Sequence, residues 1–217
     1  TDKTVEIAKS YGHKVRVLSV DNPSNFLINK QRAIDNAKGT WILQLDADER
    51  LSDELKAEIL LWKSKVDEKI DGYWIPRKNW FLGRYLMKGG VYPDAVLRLY
   101  RRNKSHFELI HVHEHAQVNG KTTWTKHAIE HMADPTFARY IMRWNRYNDL
   151  DVKLLKEGNK KPGLVNYVVI KPLFTFLSMY GRHKGFMDGW PGFVFAFFSS
   201  IRYIDIYMKS KVQSEKS

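Results

Sequence analysis

The chain has 217 residues and a net charge of +12, from 36 Lys plus Arg against 24 Asp plus Glu, a length suited to one domain with a small appendage. A hydrophobic fraction of 43% with 13% aromatics excludes a wholly disordered chain. The absence of cysteine excludes disulfides, Cys-zinc sites and thiol catalysis, so any metal would be held by Asp, Glu or His. The excess positive charge points to an anionic partner: nucleic acid, phosphate-bearing metabolites or an acidic membrane surface.

Thr1 is placed to cap a helix over about residues 2–11, with Gly12 ending it. Asp2, Lys3, Glu6, Lys9 and Lys14 interrupt the apolar run that a signal peptide would need. Lys14 to Val20 alternates in a β-rich pattern and predicts a strand before the turn residues Asp21 to Ser24. Asn29 to Ala37 reads as a helix, and Trp41 to Leu45 as a short buried parallel strand. Ser52 then opens a helix to about Val66, so helices and strands alternate as in an α/β sheet. Between Asp71 and Asn119 the pattern changes to short β segments at Gly72–Arg77, Ala95–Tyr100 and Ile110–Gln117, as in a mixed sheet. Residues 135–217 hold 14 Lys plus Arg against 6 Asp plus Glu, eight of the twelve excess charges. Twelve aromatics lie between Leu164 and Met208, but Lys171, Pro172, Gly181, Asp188 and Pro191 interrupt every candidate span, short of the ~18 apolar residues a transmembrane helix needs.

The sharpest local feature is Asp46-Ala47-Asp48, two carboxylates at the abrupt end of the Trp41–Leu45 strand, where open α/β sheets bind ligands. Burying them calls for a hard divalent cation, which also bridges a diphosphate. The plain alternative is an acidic loop capping the next helix. Lys30 and Arg32, on the preceding helix, favour a nucleotide diphosphate. In the His111–His115 run, strand alternation would put three His on one face. A zinc site would want further ligands, and packing is the commoner role for strand histidines.

The run Asn29 to Ser52, NKQRAIDNAKGTWILQLDADERLS, resembles the donor-site segment of family 2 glycosyltransferases with a GT-A fold. Thr1-Asp2-Lys3-Thr4 resembles the end of that family's D-x-G-S-T-D-x-T element, with Asp2 as its last acid, so the chain would begin inside the nucleotide-binding element. Asn79 to Arg102 and Val112-His113-Glu114 resemble the branch with bacterial lipopolysaccharide-core β-glucosyltransferases. The resemblance implies a GT-A-like (Rossmann-like) α/β catalytic domain over residues 1–134, a mixed sheet flanked by helices. Residues 135–217 would form a basic, aromatic extension of amphipathic helices.

It further implies an inverting transfer of a hexose from a nucleotide-sugar, UDP-glucose first, to a lipopolysaccharide-core or other lipid-linked saccharide. Mg2+ or Mn2+ would sit at Asp46 and Asp48, with His131 completing the shell or serving as a structural histidine. Glu114 would be the general base, with a surface ion pair as its plain alternative. Asp2, Lys30, Arg32 and Asp46 would contact the nucleotide. Asp94 and Arg98 resemble acceptor-side residues, though Arg98, Arg101 and Arg102 also fit a solvated basic face; Trp80 fits sugar stacking or the core. The C-terminal helices would lie on an anionic membrane or pack on the catalytic domain; no nucleic-acid partner is expected. The implied location is cytoplasmic, peripheral on the inner face of the bacterial cytoplasmic membrane. Two rivals are a polyprenyl-phosphate sugar synthase, which needs no carboxylate base, and a non-catalytic basic module with Asp46 and Asp48 as capping acids.

Overall fold

A computed structural model describes residues 3–21, 27–62, 69–107 and 116–214. In chain order the elements are α1 (Thr4–Ser10), α2 (Leu27–Asn36), β1 (Trp41–Leu43), β2 (Glu49–Leu51), α3 (Asp53–Trp62), β3 (Gly72–Ile75), β4 (Arg77–Phe81) and β5 (Arg84–Leu86). There follow β6 (Val96–Arg101), β7 (Ser105–His106), β8 (Gln117–Val118), β9 (Thr122–Trp124), β10 (Ile129–Asp134), α4 (Phe137–Glu157), α5 (Lys171–Phe176) and α6 (Gly189–Ser214). Wider π turns at Asn166–Ile170 and Leu177–Arg182 flank α5. Parallel and antiparallel strands with six helices are consistent with the GT-A-like expectation.

The chain divides into two compact units. The first comprises Thr1–Gln44, Asp67–Trp74 and Leu97–Thr123. Its sheet has the order β1-β6-β3-β9. Leu27 and Ile34, two turns apart on one stripe of α2, pack with Leu97, Tyr100, Phe107 and Ala116. Apolar patterning correctly indicates that Trp41–Leu43 is a strand, but β1 runs antiparallel to β6, with Trp41 opposite Arg101 and Leu43 opposite Leu99, and is only half buried. The strand expected at Lys14–Val20 does not form. Lys14 closes a 3-10 turn over Gly12–Lys14, the residues after it enter no ladder, and Val15, Leu18 and Val20 stay exposed. A β-rich composition yields a strand only where a neighbouring edge takes its hydrogen bonds. Of the segment expected at Ile110–Gln117, residues 110–115 lie outside the described residues, and Gln117 pairs with His106.

The second unit comprises Leu45–Val66, Ile75–Val96 and Trp124–Ser217. Its sheet has the order β2-β10-β4-β5. The central strand β10 runs antiparallel to β2 and parallel to β4. The Ser52 hydroxyl accepts from the Leu55 N–H at 3.1 Å and starts α3, as its sequence indicates. Phe81, Leu86 and Tyr140 form a core against Phe195 and Phe198 of α6. Helices α4 and α6 run to 21 and 26 residues, and polar contacts bind them: Asn148 donates to Asp205 at 2.9 Å, Lys209 pairs with Asp149 at 2.8 Å, and Arg202 pairs with Asp151; within α6, Lys209 also pairs with Asp205 at 2.9 Å. Among the described residues no helix is long and apolar enough to cross a membrane.

Candidate active site

Asp46-Ala47-Asp48 forms the turn that enters β2, and Glu49 holds its shape. The Glu49 N–H donates to the Asp46 carbonyl at 3.0 Å, while the Glu49 carboxylate accepts from the Asp46 N–H at 3.0 Å. Arg77 Nη1 donates to the other carboxylate oxygen at 3.0 Å, and the Glu49 side chain is fully buried. A buried charge of this kind is tolerated only with its partners in place, so the turn is tied to β4.

Three strands set the next layer. Glu49, His131 and Asn79 occupy one row across β2, β10 and β4, and the two-residue period puts Arg77 on the same face as Asn79. Asp94 Oδ2 accepts from Arg77 Nη2 at 2.7 Å, Arg77 Nε at 3.1 Å and Asn79 Nδ2 at 2.9 Å. With Nδ2 engaged by Asp94, it is Asn79 Oδ1 that meets His131 Nδ1, at 2.6 Å, and an amide oxygen can only accept. His131 Nδ1 therefore carries the proton. Burial first, then Arg77, push the His131 pKa below its ordinary value against the pull of Asp48 and Glu49, which keeps the ring neutral at pH 7. Its Nε2 lone pair then lies 3.6 Å from Asp48 Oδ1, so two electron-pair donors face each other.

The start of α4 brings cations to this pair. Thr136 caps the helix by accepting from the Arg139 N–H at 3.3 Å. Arg139 and Arg143, four residues apart, share a face. Arg139 Nη2 lies 3.3 Å from Asp48 Oδ2, and Arg143 pairs with Asp134. Asp134 is 1% exposed, and burial raises its carboxyl pKa against the pull of Arg143 and Arg139. Beside the cluster lies a cavity of about 140 Å³, lined by Arg77, Asn79, Asp94, His131 and Arg143 on its polar side and by Trp80 and Phe195 among its apolar walls. Trp80 meets the edge of Tyr85 across the β4–β5 pair, at 5.0 Å.

Among the described residues no three His, Asp or Glu side chains are arranged to hold a metal ion. Asp48 and His131 nevertheless fit a divalent cation as a pair. A carboxylate oxygen and an imidazole lone pair suit Mn2+, and hard cations complete their shells with phosphate oxygens and water. Asn79 orients the imidazole from behind, as outer-shell partners do.

The structure thus brings Asp48 and His131 together and gives Asp46 the turn that presents Asp48. Lys30 and Arg32 lie on α2 in the first unit, where Arg32 Nη1 donates to Asn29 Oδ1 at 3.2 Å. Asp2 and Glu114, with the rest of the His111–His115 run, lie outside the described residues. Arg101 is engaged within the first unit, 3.4 Å from Asp71 and 4.8 Å from the centre of the Trp41 ring. Sequence reasoning gave no role to Arg77, Asn79, Arg139 and Arg143. The last two carried a signal, a four-residue spacing in the first turns of a helix that directly follows His131 and Asp134.

Residues 1–133 match the family described as Glycosyl transferase family 2. The lipopolysaccharide core biosynthesis glycosyltransferase LpsC of Rhizobium meliloti is 26% identical over 93% of this chain and 78% of its own length. An uncharacterized glycosyltransferase of Rickettsia bellii is 26% identical over 89% of this chain and 68% of its own length. Another, of Rickettsia prowazekii, is 25% identical over 97% and 77%. The family match ends before α4, whose Arg139 and Arg143 complete the cluster.

Proposed function

The chain belongs to glycosyltransferase family 2, and on that premise we propose that it transfers a hexose with inversion from a nucleotide-sugar, UDP-glucose first among donors, to a lipopolysaccharide-core or other lipid-linked saccharide. The reading is carried by the opposed pair Asp48 and His131, whose facing lone pairs suit one divalent cation. The lipopolysaccharide core biosynthesis role of LpsC supports the acceptor class, and a lipid-linked acceptor would place the enzyme at the inner face of the bacterial cytoplasmic membrane.

In the proposed reaction the acceptor hydroxyl oxygen bonds to the anomeric carbon while Glu114 takes its proton. The bond from that carbon to the diphosphate oxygen breaks on the opposite side, and the nucleoside diphosphate leaves with the electron pair. Asp48 and His131 would hold Mg2+ or Mn2+, which when bound supplies positive charge against the leaving diphosphate. Arg139, whose guanidinium lies 3.3 Å from Asp48 Oδ2, adds a cation at the same place. Asp2, Lys30, Arg32 and Asp46 would contact the nucleotide. Glu49 and Arg77 keep the turn and the β4 face in register, and the neighbouring cavity with Trp80 would receive the acceptor sugar.

The test is a donor screen by product mass spectrometry with Mg2+ or Mn2+, comparing the wild type with Asp48→Ala. The substitution should cut turnover by about 100-fold or more, as the loss of one preorganised electrostatic contact does, with the thermal midpoint nearly unchanged. Wild-type turnover by Asp48→Ala would remove the cation site from Asp48.

A further inference from the structure

The second unit carries an apolar surface that no part of the sugar-transfer chemistry uses. Val165, Val169, Ile170, Leu173, Phe174 and Leu177 are each between 54% and 68% exposed. Their spacing of four and five residues matches the α and π turns around α5, so they form one stripe. The opposite side is the packed one: Phe176 meets Phe193 and Tyr167 meets Tyr203 of α6 edge-on. From Leu164 to Gly181 the one Lys, Arg, Asp or Glu is Lys171. Its ammonium lies 3.7 Å from the centre of the Tyr167 ring and 5.2 Å from that of Tyr203, so it is drawn to the packed side and leaves the stripe without charge.

Cations flank the stripe at both ends. Lys160 and Lys161 precede it, Arg182 and Lys184 follow it, all four are exposed, and no Asp or Glu occurs between Gly158 and Met187. Scattered exposed apolar residues are ordinary, whereas a continuous stripe marks a docking face. The rim tells which kind: protein–protein interfaces are depleted in Lys, whereas interfacial helices pair an apolar face with Lys and Arg that meet anionic headgroups. Trp190, 63% exposed at the start of α6, has the amphipathic ring favoured at that depth.

We propose that the stripe around α5 lies flat in an anionic lipid surface, with Lys160, Lys161, Arg182 and Lys184 on the headgroups. This rests on the lipid-linked acceptor reading for its purpose and not for its measurement. The docked face presents the second unit to an acceptor held in the same surface, without crossing the bilayer.

The experiment is co-sedimentation of the full chain with vesicles of phosphatidylcholine and phosphatidylglycerol, against vesicles of phosphatidylcholine alone. Binding to the anionic vesicles is expected, weakened about 30-fold by Lys160→Ser with Lys161→Ser, at roughly a fivefold loss per cation. Leu173→Glu with Phe174→Glu, both at exposed positions, should abolish it while the melting profile stays that of the wild type. Equal binding to neutral and anionic vesicles, or undiminished binding by the Glu variant, overturns the proposal. So does a dimer in vesicle-free solution that the Glu variant dissociates, since a second copy would then own the stripe. Transfer to a water-soluble acceptor fragment separates the two readings: transfer without vesicle binding removes the docking face alone, and vesicle binding without transfer removes the transferase reading alone.

Discussion

Asp94 shows how the cluster balances burial against charge. Burial alone would raise its carboxyl pKa, but the Asn79 hydrogen bond and the Arg77 guanidinium outweigh it and hold the group below the ordinary 3.8. Because the folded pKa is the lower one, the unfolded chain takes up the proton first as pH falls. The stability contributed by ionised Asp94 is therefore complete above 3.8 and is lost as pH drops through the folded value. Asp94→Asn is expected to be less stable than the wild type at pH 7, by about 1 kcal/mol given the partial exposure of the group. That difference should shrink below pH 3.8 in urea unfolding; a gap that stays constant down to pH 2.5 would mean that Asp94 carries no such charge. The same residues show what the sequence could and could not disclose. Asp46 and Asp48 are legible because a two-residue spacing is local, and His131 because a resemblance points at it. Glu49 sits beside them, yet its role is set by Arg77, 28 residues away, and His131 is oriented by Asn79, 52 residues away. Those partnerships are created by the β2-β10-β4 register, which side-chain type alone does not specify.

At the level of elements, the join between β5 and α6 is a tight seam. The buried Asp188 carboxylate accepts from the N–H groups of Met87 at 3.0 Å and Lys88 at 2.7 Å, and α6 begins at the next residue. Within its first turn Gly192 passes so close to the preceding turn that a Cβ would lie 2.1 Å from the Gly185 carbonyl oxygen and 2.9 Å from the Asp188 Cβ. Backbone cannot yield as a flexible side chain can. In an open helix Gly→Ala gains about 1 kcal/mol. Here the sign should reverse, and Gly192→Ala is expected to lose about 2 kcal/mol through displaced packing, read as a lower urea midpoint at unchanged slope. A stabilised variant would mean that the seam is looser than described. Pro191 was legible as an interruption of a membrane span; its actual place is the opening of a long helix, where proline is well tolerated in the first turn. Strand direction was not legible either. A short apolar run such as Trp41–Leu43 reads alike in parallel and antiparallel settings, and the β6 partner decides.

Across the whole chain the +12 charge is uneven, and the pairing of acids sharpens the imbalance. In residues 135–217, Asp149, Asp151 and Asp205 are occupied by Lys209 and Arg202 between α4 and α6, and Asp188 lies 3.4 Å from Arg84. The excess therefore gathers elsewhere: Lys156, Lys160, Lys161 and Lys211 line one cavity of about 390 Å³, and Arg182 and Lys184 follow the apolar stripe. Composition made the total charge legible from the start, whereas its gathering depends on which acids α4 and α6 consume in packing. Clustered like charge destabilises the compact state, while exposed ion pairs contribute little, so screening should help more than it harms. Raising salt from about 0.01 M to about 0.15 M shortens the screening length from about 30 Å to about 8 Å. The thermal midpoint in scanning fluorimetry is expected to rise by roughly 1 °C, the scale of a few tenths of a kcal/mol in a chain of this size. Lys160→Gln with Lys161→Gln should raise the low-salt midpoint and flatten that dependence, because two of the repelling charges are gone. A midpoint that falls with salt would show instead that the α4–α6 ion pairs outweigh the repulsion.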